Sequence, residues 1–123
     1  MTLIEAIDQI NALKPNTYNH TVKIKWLSTL DGLIKTEIIN THVGADQVEF
    51  QGYDEETDLA TELLVPAPYD SIYLRWLEAQ IDYANEEYDR YNNAAQAYND
   101  AYTAFSRYYK HTHMPLGRKF KFF

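Results

Sequence analysis

The chain has no cysteine. Disulfide scaffolds, thiolate zinc sites, iron–sulfur clusters and cysteine nucleophiles are thereby excluded. Glycine and proline are sparse, four of each in 123 residues. The glycines are scattered, so there is no glycine-rich loop to cradle a phosphate. The only serines are Ser28, Ser71 and Ser106, and none sits in a strand–turn–helix nucleophile context. No run reaches about eighteen apolar residues, so no membrane-spanning helix is expected. Residues 1–13 carry Glu5 and Asp8 and no basic side chain, unlike a signal peptide, which makes the cytoplasm the expected compartment.

Basic residues are also missing over a long stretch. Between Thr36 and Leu74 there is no Lys or Arg, but there are nine acids, among them Asp46, Glu49, Asp54, Glu55, Glu56 and Asp58. Residues 1–105 hold 6 basic and 18 acidic groups, whereas residues 106–123 hold five basic groups and no acid. The overall net charge of −7 therefore hides two regions of opposite sign. A solvated acidic loop with a loose basic tail is the plain reading. The sharper one is complementary faces that meet between neighbouring copies.

What is abundant is apolar and aromatic: 46% of the chain is hydrophobic, and there are eleven tyrosines. The length suits one domain with a real core. Tyrosine has an apolar body and a polar tip, so it serves both core and interface.

The periodicity is helical. Thr2 and Glu5 form a capping box, and Leu3, Ile7 and Ile10 follow on one face. Lys14-Pro15 ends this helix, because a residue before proline avoids the α region. A second helix is expected over residues 21 to about 40, capped by Asn19 or Thr21, with Val22, Trp26, Leu27, Leu30, Leu33, Ile34 and Ile38 on its apolar face. Gly32 interrupts that pattern, which points to a close neighbouring helix or a bend. Residues 41–67 lose the rhythm and read as a long acidic loop, in which Val48 and Phe50 alternate as in a short strand over 47–51.

Pro68 opens the next helical stretch. Leu77, Ile81, Ala84, Tyr88, Tyr91, Ala95, Tyr98, Tyr102, Phe105 and Tyr109 then recur in steps of three and four. Unbroken, this seam would make a helix about 60 Å long, too long for one compact domain. Asn92-Asn93 and Asn85-Glu86 compete as the turn. The seam keeps its phase across the former, and the latter offers a C-cap followed by an acidic first turn. The break is therefore placed near Asn85, giving an antiparallel hairpin of helices 68–84 and 87–111. The expected fold is mainly α: one four-helix domain over residues 1–113, then an extended basic and aromatic tail, 114–123. Leu116, Arg118, Lys119, Phe120, Lys121, Phe122 and Phe123 are its candidate partner-binding residues, since alternating Lys and Phe suit strand addition to another chain.

Catalytic signals are few. His111 and His113 would point to different faces of a helix rather than share a metal, and suit a helix C-terminus better. Glu55-Glu56 and Glu86-Glu87 lack a partner base. The phenylalanines of the tail could stack bases, but the acidic total opposes specific nucleic-acid recognition. No catalytic residue, metal or cofactor is expected.

The run Leu64-Val65-Pro66-Ala67-Pro68-Tyr69-Asp70, followed by Tyr73, Trp76-Leu77, Ala84-Asn85, Tyr91-Asn92-Asn93, Tyr98-Asn99, Tyr102, Phe105 and Thr112-His113-Met114-Pro115, resembles small proteins encoded in prophages of Gram-positive bacteria. Ala12-Leu13-Lys14-Pro15-Asn16 and Lys25-Trp26-Leu27 fit the same pattern. These proteins are similar to the head–tail connectors (head-completion or neck adaptor proteins) of tailed bacteriophages. The resemblance implies a helical, non-enzymatic virion protein that forms a ring beneath the portal and joins it to the next neck or tail component. It implies assembly in the host cytoplasm, residence in the virion neck, and a C-terminal segment that reaches the portal or a neighbouring subunit. The acidic 46–62 stretch departs from the family pattern. The competing reading is a non-viral helical protein–protein interaction module.

Overall fold

The computed structural model describes residues 1–116. Four α-helices make the fold: α1 (Leu3–Leu13), α2 (His20–Glu37), α3 (Ile72–Ala84) and α4 (Tyr88–Thr112). Short 3₁₀ turns lie at Ile39–Thr41, Ala45–Gln47 and Tyr69–Ser71. The mainly α class read from the periodicity is the fold observed, with no β-strand among the described residues.

The capping box forms as its residue types demand. Thr2 Oγ1 accepts from the Glu5 N–H while the Glu5 carboxylate accepts from the Thr2 N–H, both at 3.2 Å. That hydrogen bonding holds the Glu5 carboxyl below its ordinary pKa. The next two free donors of α1 go to the acidic loop, Leu3 N–H to Thr61 O and Ile4 N–H to Leu59 O, each at 3.0 Å. Asn19, not Thr21, caps α2, accepting from the Val22 N–H at 3.0 Å.

The core gathers Leu3, Ile7 and Ile10 of α1, Leu27, Leu30 and Ile34 of α2, Ile72, Leu77 and Ile81 of α3, and Phe105 of α4. Reversed order proves the hairpin antiparallel: Trp76 packs on Tyr98, and Tyr83, later in α3, packs on Tyr91, earlier in α4, with ring centres 5.0 and 5.2 Å apart.

Several expectations are corrected. The strand over 47–51 does not form; Ala45–Gln47 is a 3₁₀ turn, and Phe50 turns onto α2 instead. α2 ends at Glu37 and runs on through Gly32, where a Cβ would stand 3.8 Å from the Phe50 ring. What approaches Gly32 is thus a loop side chain and not a helix. The face of α2 is rotated: Leu33 is exposed, and Lys23 and Asp31 are buried in its place. α3 begins at Ile72, after the Tyr69–Ser71 turn, rather than at Pro68. Ala84 is exposed, and Ala94 rather than Ala95 is the buried alanine of α4.

The break itself falls where the caps placed it. Asn85 caps α3, and the chain turns through Glu86 with φ of 60°. Glu87 N–H donates to Asp82 O at 2.9 Å and Glu86 N–H to Tyr83 O at 3.0 Å. This is the Schellman closure, with glutamate where glycine is the usual occupant.

Candidate functional site

Buried polar groups first decide which surfaces are rigid. Asp31 is wholly buried. Its Oδ1 accepts from Tyr73 OH at 2.6 Å; its Oδ2 accepts from Tyr53 OH at 2.5 Å and from the Leu64 N–H at 3.1 Å. Val65 N–H in turn donates to Tyr73 OH at 2.7 Å. One carboxylate therefore clamps both limbs of the acidic loop to α2 and α3. Desolvation raises the Asp31 carboxyl above its ordinary pKa, and the three donors pull against it. Burial and the adjacent Asp31 charge push Tyr73 and Tyr53 far above the usual phenol value.

A second set of ties holds the corner below the hairpin. Lys14 Nζ lies 2.6 Å from Asp82 Oδ1, a carboxylate almost wholly enclosed. Tyr18 OH donates to Asn85 Oδ1 at 2.7 Å. Lys23, also enclosed, donates to Asn11 Oδ1 at 2.7 Å and to Tyr18 O at 2.6 Å, and burial lowers its pKa. The far end of α2 is tied to α4 by Tyr102 OH, which donates to Glu37 Oε1 at 2.6 Å.

The sequence alone assigns none of these residues a tying role, yet for the two buried charges of α2 it holds a signal. Lys23, Leu27, Asp31, Ile34 and Ile38 recur at steps of four and three, so the two charged residues share the stripe of the core.

The acidic loop residues divide by use. Asp54 Oδ1 accepts from the Glu56 N–H at 2.9 Å and from Thr57 Oγ1 at 3.2 Å; Asp58 Oδ1 accepts from the Ala60 N–H at 2.9 Å. Both carboxylates shape turns, as Asp side chains do. Asp46 stands in the first turn of Ala45–Gln47. Glu49, Glu55 and Glu56 are exposed. Glu49 and Glu62 line a cleft of about 250 Å³ together with Phe50 and Tyr53, and Glu62 meets the N-terminal ammonium at 3.2 Å.

At the other end, residues 114–116 fold back on their own chain. Val43 N–H donates to Met114 O at 2.7 Å, and Leu116 N–H donates to Thr41 O at 2.9 Å. His42 and Pro115 are bridged partners. His42 is buried against Tyr109, ring centres 5.0 Å apart, and His113 stacks on the same ring at 3.7 Å. Lys110 and His111 occupy the last turn of α4, where cations suit the helix dipole. Leu116 is thus pinned by its backbone while its side chain stays 57% exposed. Arg118, Lys119, Phe120, Lys121, Phe122 and Phe123 lie outside the described residues.

Two surfaces carry exposed apolar side chains, and of their residues only Leu116 is a candidate for partner binding from the sequence alone. One is the hairpin tip, Tyr83 and Tyr88, 58% and 53% exposed, beside Glu86, Glu87 and Asp89. The other is Val43, Met114 and Leu116, at the end of α4 whose last turn carries Lys110 and His111. No protein-family model matches this chain, and neither a curated protein nor a solved structure does. Among the described residues no helix is long and apolar enough to cross a membrane.

Proposed function

We propose that this chain is a structural adaptor of a bacteriophage or prophage neck, forming a ring beneath the portal and joining it to the next neck or tail component. The observation that carries the reading is the separation of unlike charge on a rigid helical body. An acidic aromatic tip and a basic apolar end stand at opposite ends of α4, about 37 Å apart at 1.5 Å per residue. Unlike patches at opposite ends favour heterologous contacts, and heterologous contacts that close make rings. Complementary potentials steer encounter and set register, while exposed aromatic and apolar groups supply affinity.

The family resemblance of the motifs supports the same role. So does the use of the buried ionisable groups: Asp31, Lys23 and Asp82 each hold one element against another. The partners are then further copies of this chain, the portal and the next neck or tail protein, and the work is mechanical, without a cofactor or a bond-making step. Assembly takes place in the host cytoplasm, and the product resides in the virion neck.

Co-expression with the portal protein encoded nearby tests the proposal. The full chain is expected to co-purify with the portal, and a chain lacking residues 117–123 to stay folded by circular dichroism but fail to join. A full chain that ignores the portal refutes the adaptor role and leaves a non-viral interaction module as the better reading.

A further inference from the structure

We infer that the hairpin tip of one copy docks on the basic end of a second copy, with Tyr83 and Tyr88 seated on the exposed Val43–Met114–Leu116 face. The inference rests on the adaptor reading and names its self-contact.

Register, rather than fraying, creates the receiving face. In an antiparallel pair, directly opposed residues share a side and successive ones alternate. His42 opposes Pro115, and His42 is buried. The neighbouring pairs, Val43 with Met114 and Thr41 with Leu116, must then point outward. All four are exposed, and the three apolar ones are between 51% and 60% exposed. The backbone bonds at 2.7 and 2.9 Å hold the main chain that carries these side chains, so no backbone ordering is needed on binding.

The tip is equally prepared. Tyr83 meets the edges of Tyr88 and Tyr91 at 5.8 and 5.2 Å between ring centres, which fixes its ring while leaving it in solvent. Neither the Tyr83 nor the Tyr88 hydroxyl has a hydrogen-bond partner among the described residues, so each can be satisfied across an interface. Glu86 keeps a left-handed φ of 60° that glycine would adopt without strain. Retaining a side chain there keeps a carboxylate at the apex.

Charge selects the occupant. At the tip, Glu86, Glu87 and Asp89 face solvent, and Arg90 is engaged with Glu87 at 3.3 Å. At the same end of the body as the receiving face, the last turns of α4 carry exposed Arg107, Lys110 and His111. Asp46 stands on the neighbouring turn, and Lys35 reaches the same turn, donating to Ala45 O at 2.8 Å. A second copy brings an acidic aromatic knob to a basic apolar seat. Because knob and seat lie at opposite ends of α4, every docked copy offers a fresh end to the next.

Sedimentation velocity on the full chain at low ionic strength, at concentrations up to sub-millimolar, tests this with two double variants. Tyr83→Ser/Tyr88→Ser removes the knob; Val43→Ser/Met114→Ser removes the seat. All four side chains are exposed, and circular dichroism checks that both variants fold. The wild type is expected to self-associate, less so as salt rises, and each variant to associate about tenfold more weakly or worse. An equal mixture of the two variants is expected to form dimers and nothing larger, since only one complete contact exists in the mixture.

Several results would overturn the inference: a wild type that stays monomeric throughout, variants that assemble like the wild type, or a mixture that stays monomeric. Dimers of the seat variant alone would mean a tip-to-tip contact instead. Seat substitutions that alter stability but not assembly would mean that residues 117–123 of the same copy cover the face. A monomeric chain that still binds the portal removes this contact and keeps the adaptor reading; a self-associating chain that ignores the portal does the reverse.

Discussion

Removing the Asp31 carboxylate should release the whole acidic loop. In Asp31→Ala, Tyr73 OH, Tyr53 OH and the Leu64 N–H lose their acceptor together. A buried donor left unsatisfied costs about 1–3 kcal/mol. Tyr73 is wholly buried and loses the most, while Tyr53 and Leu64 are half-buried and regain part of the loss from water. The expected total is about 3–5 kcal/mol, a large share of the roughly 5–15 kcal/mol that holds a domain of this size together. Urea unfolding should show the midpoint falling with a shallower slope, because the released loop is exposed before the domain unfolds, and limited proteolysis should cut first within residues 48–62.

Asp31→Asn refines the test. Its amide keeps one acceptor and turns a donor toward a donor, so a smaller loss of about 1–3 kcal/mol is expected. The sign of the pH dependence follows from the raised carboxyl of Asp31. Its favourable share is complete below the unfolded value of 3.8 and is lost as pH rises through the folded value. The asparagine variant cannot show that loss, so its deficit against wild type should narrow from acid toward neutral pH. An Asp31→Ala protein within about 1 kcal/mol of wild type, with its loop still protected, would refute the clamp.

Other substitutions follow from single features. Glu86→Gly removes a left-handed glutamate and should raise stability by about 0.5–1 kcal/mol in thermal unfolding, whereas Glu86→Ala should not. Gly52→Ala should lose about 1 kcal/mol or more, because φ is +90° there and a Cβ would stand 3.4 Å from Ser28 Oγ, the oxygen that accepts from the Tyr53 N–H. Lys14→Met leaves the enclosed Asp82 without its cation and should cost about 3 kcal/mol by chemical unfolding. An alkaline absorbance titration should show Tyr53, Tyr73 and Tyr102 ionising only with unfolding, and Tyr98, desolvated near Glu37, at about 12. Their raised values make this share of stability complete below about pH 10 and lost above it.

Local chemistry was readable from residue order alone. The capping box at Thr2 and Glu5, the stop at Lys14-Pro15 and the turn at Asn85 each depend on residues within a few positions of one another. Their hydrogen bonds close inside a single turn, so no distant partner can revise them. The helical period and the two charge blocks are likewise sums over neighbouring residues, and the mainly α class follows from them.

Tertiary structure decided what depended on residues far apart. Asp31 is a clamp only because Tyr53, Leu64 and Tyr73 arrive from 22 to 42 positions away. Those same contacts pull Phe50 onto α2 and override the short alternation over 47–51, which lacks a partner strand. The exposed Val43–Met114–Leu116 face exists only once residue 115 has come back beside residue 42. Periodicity states which side of an element is apolar; which other element meets that side, and which apolar groups are left for a partner, is set by packing the whole chain.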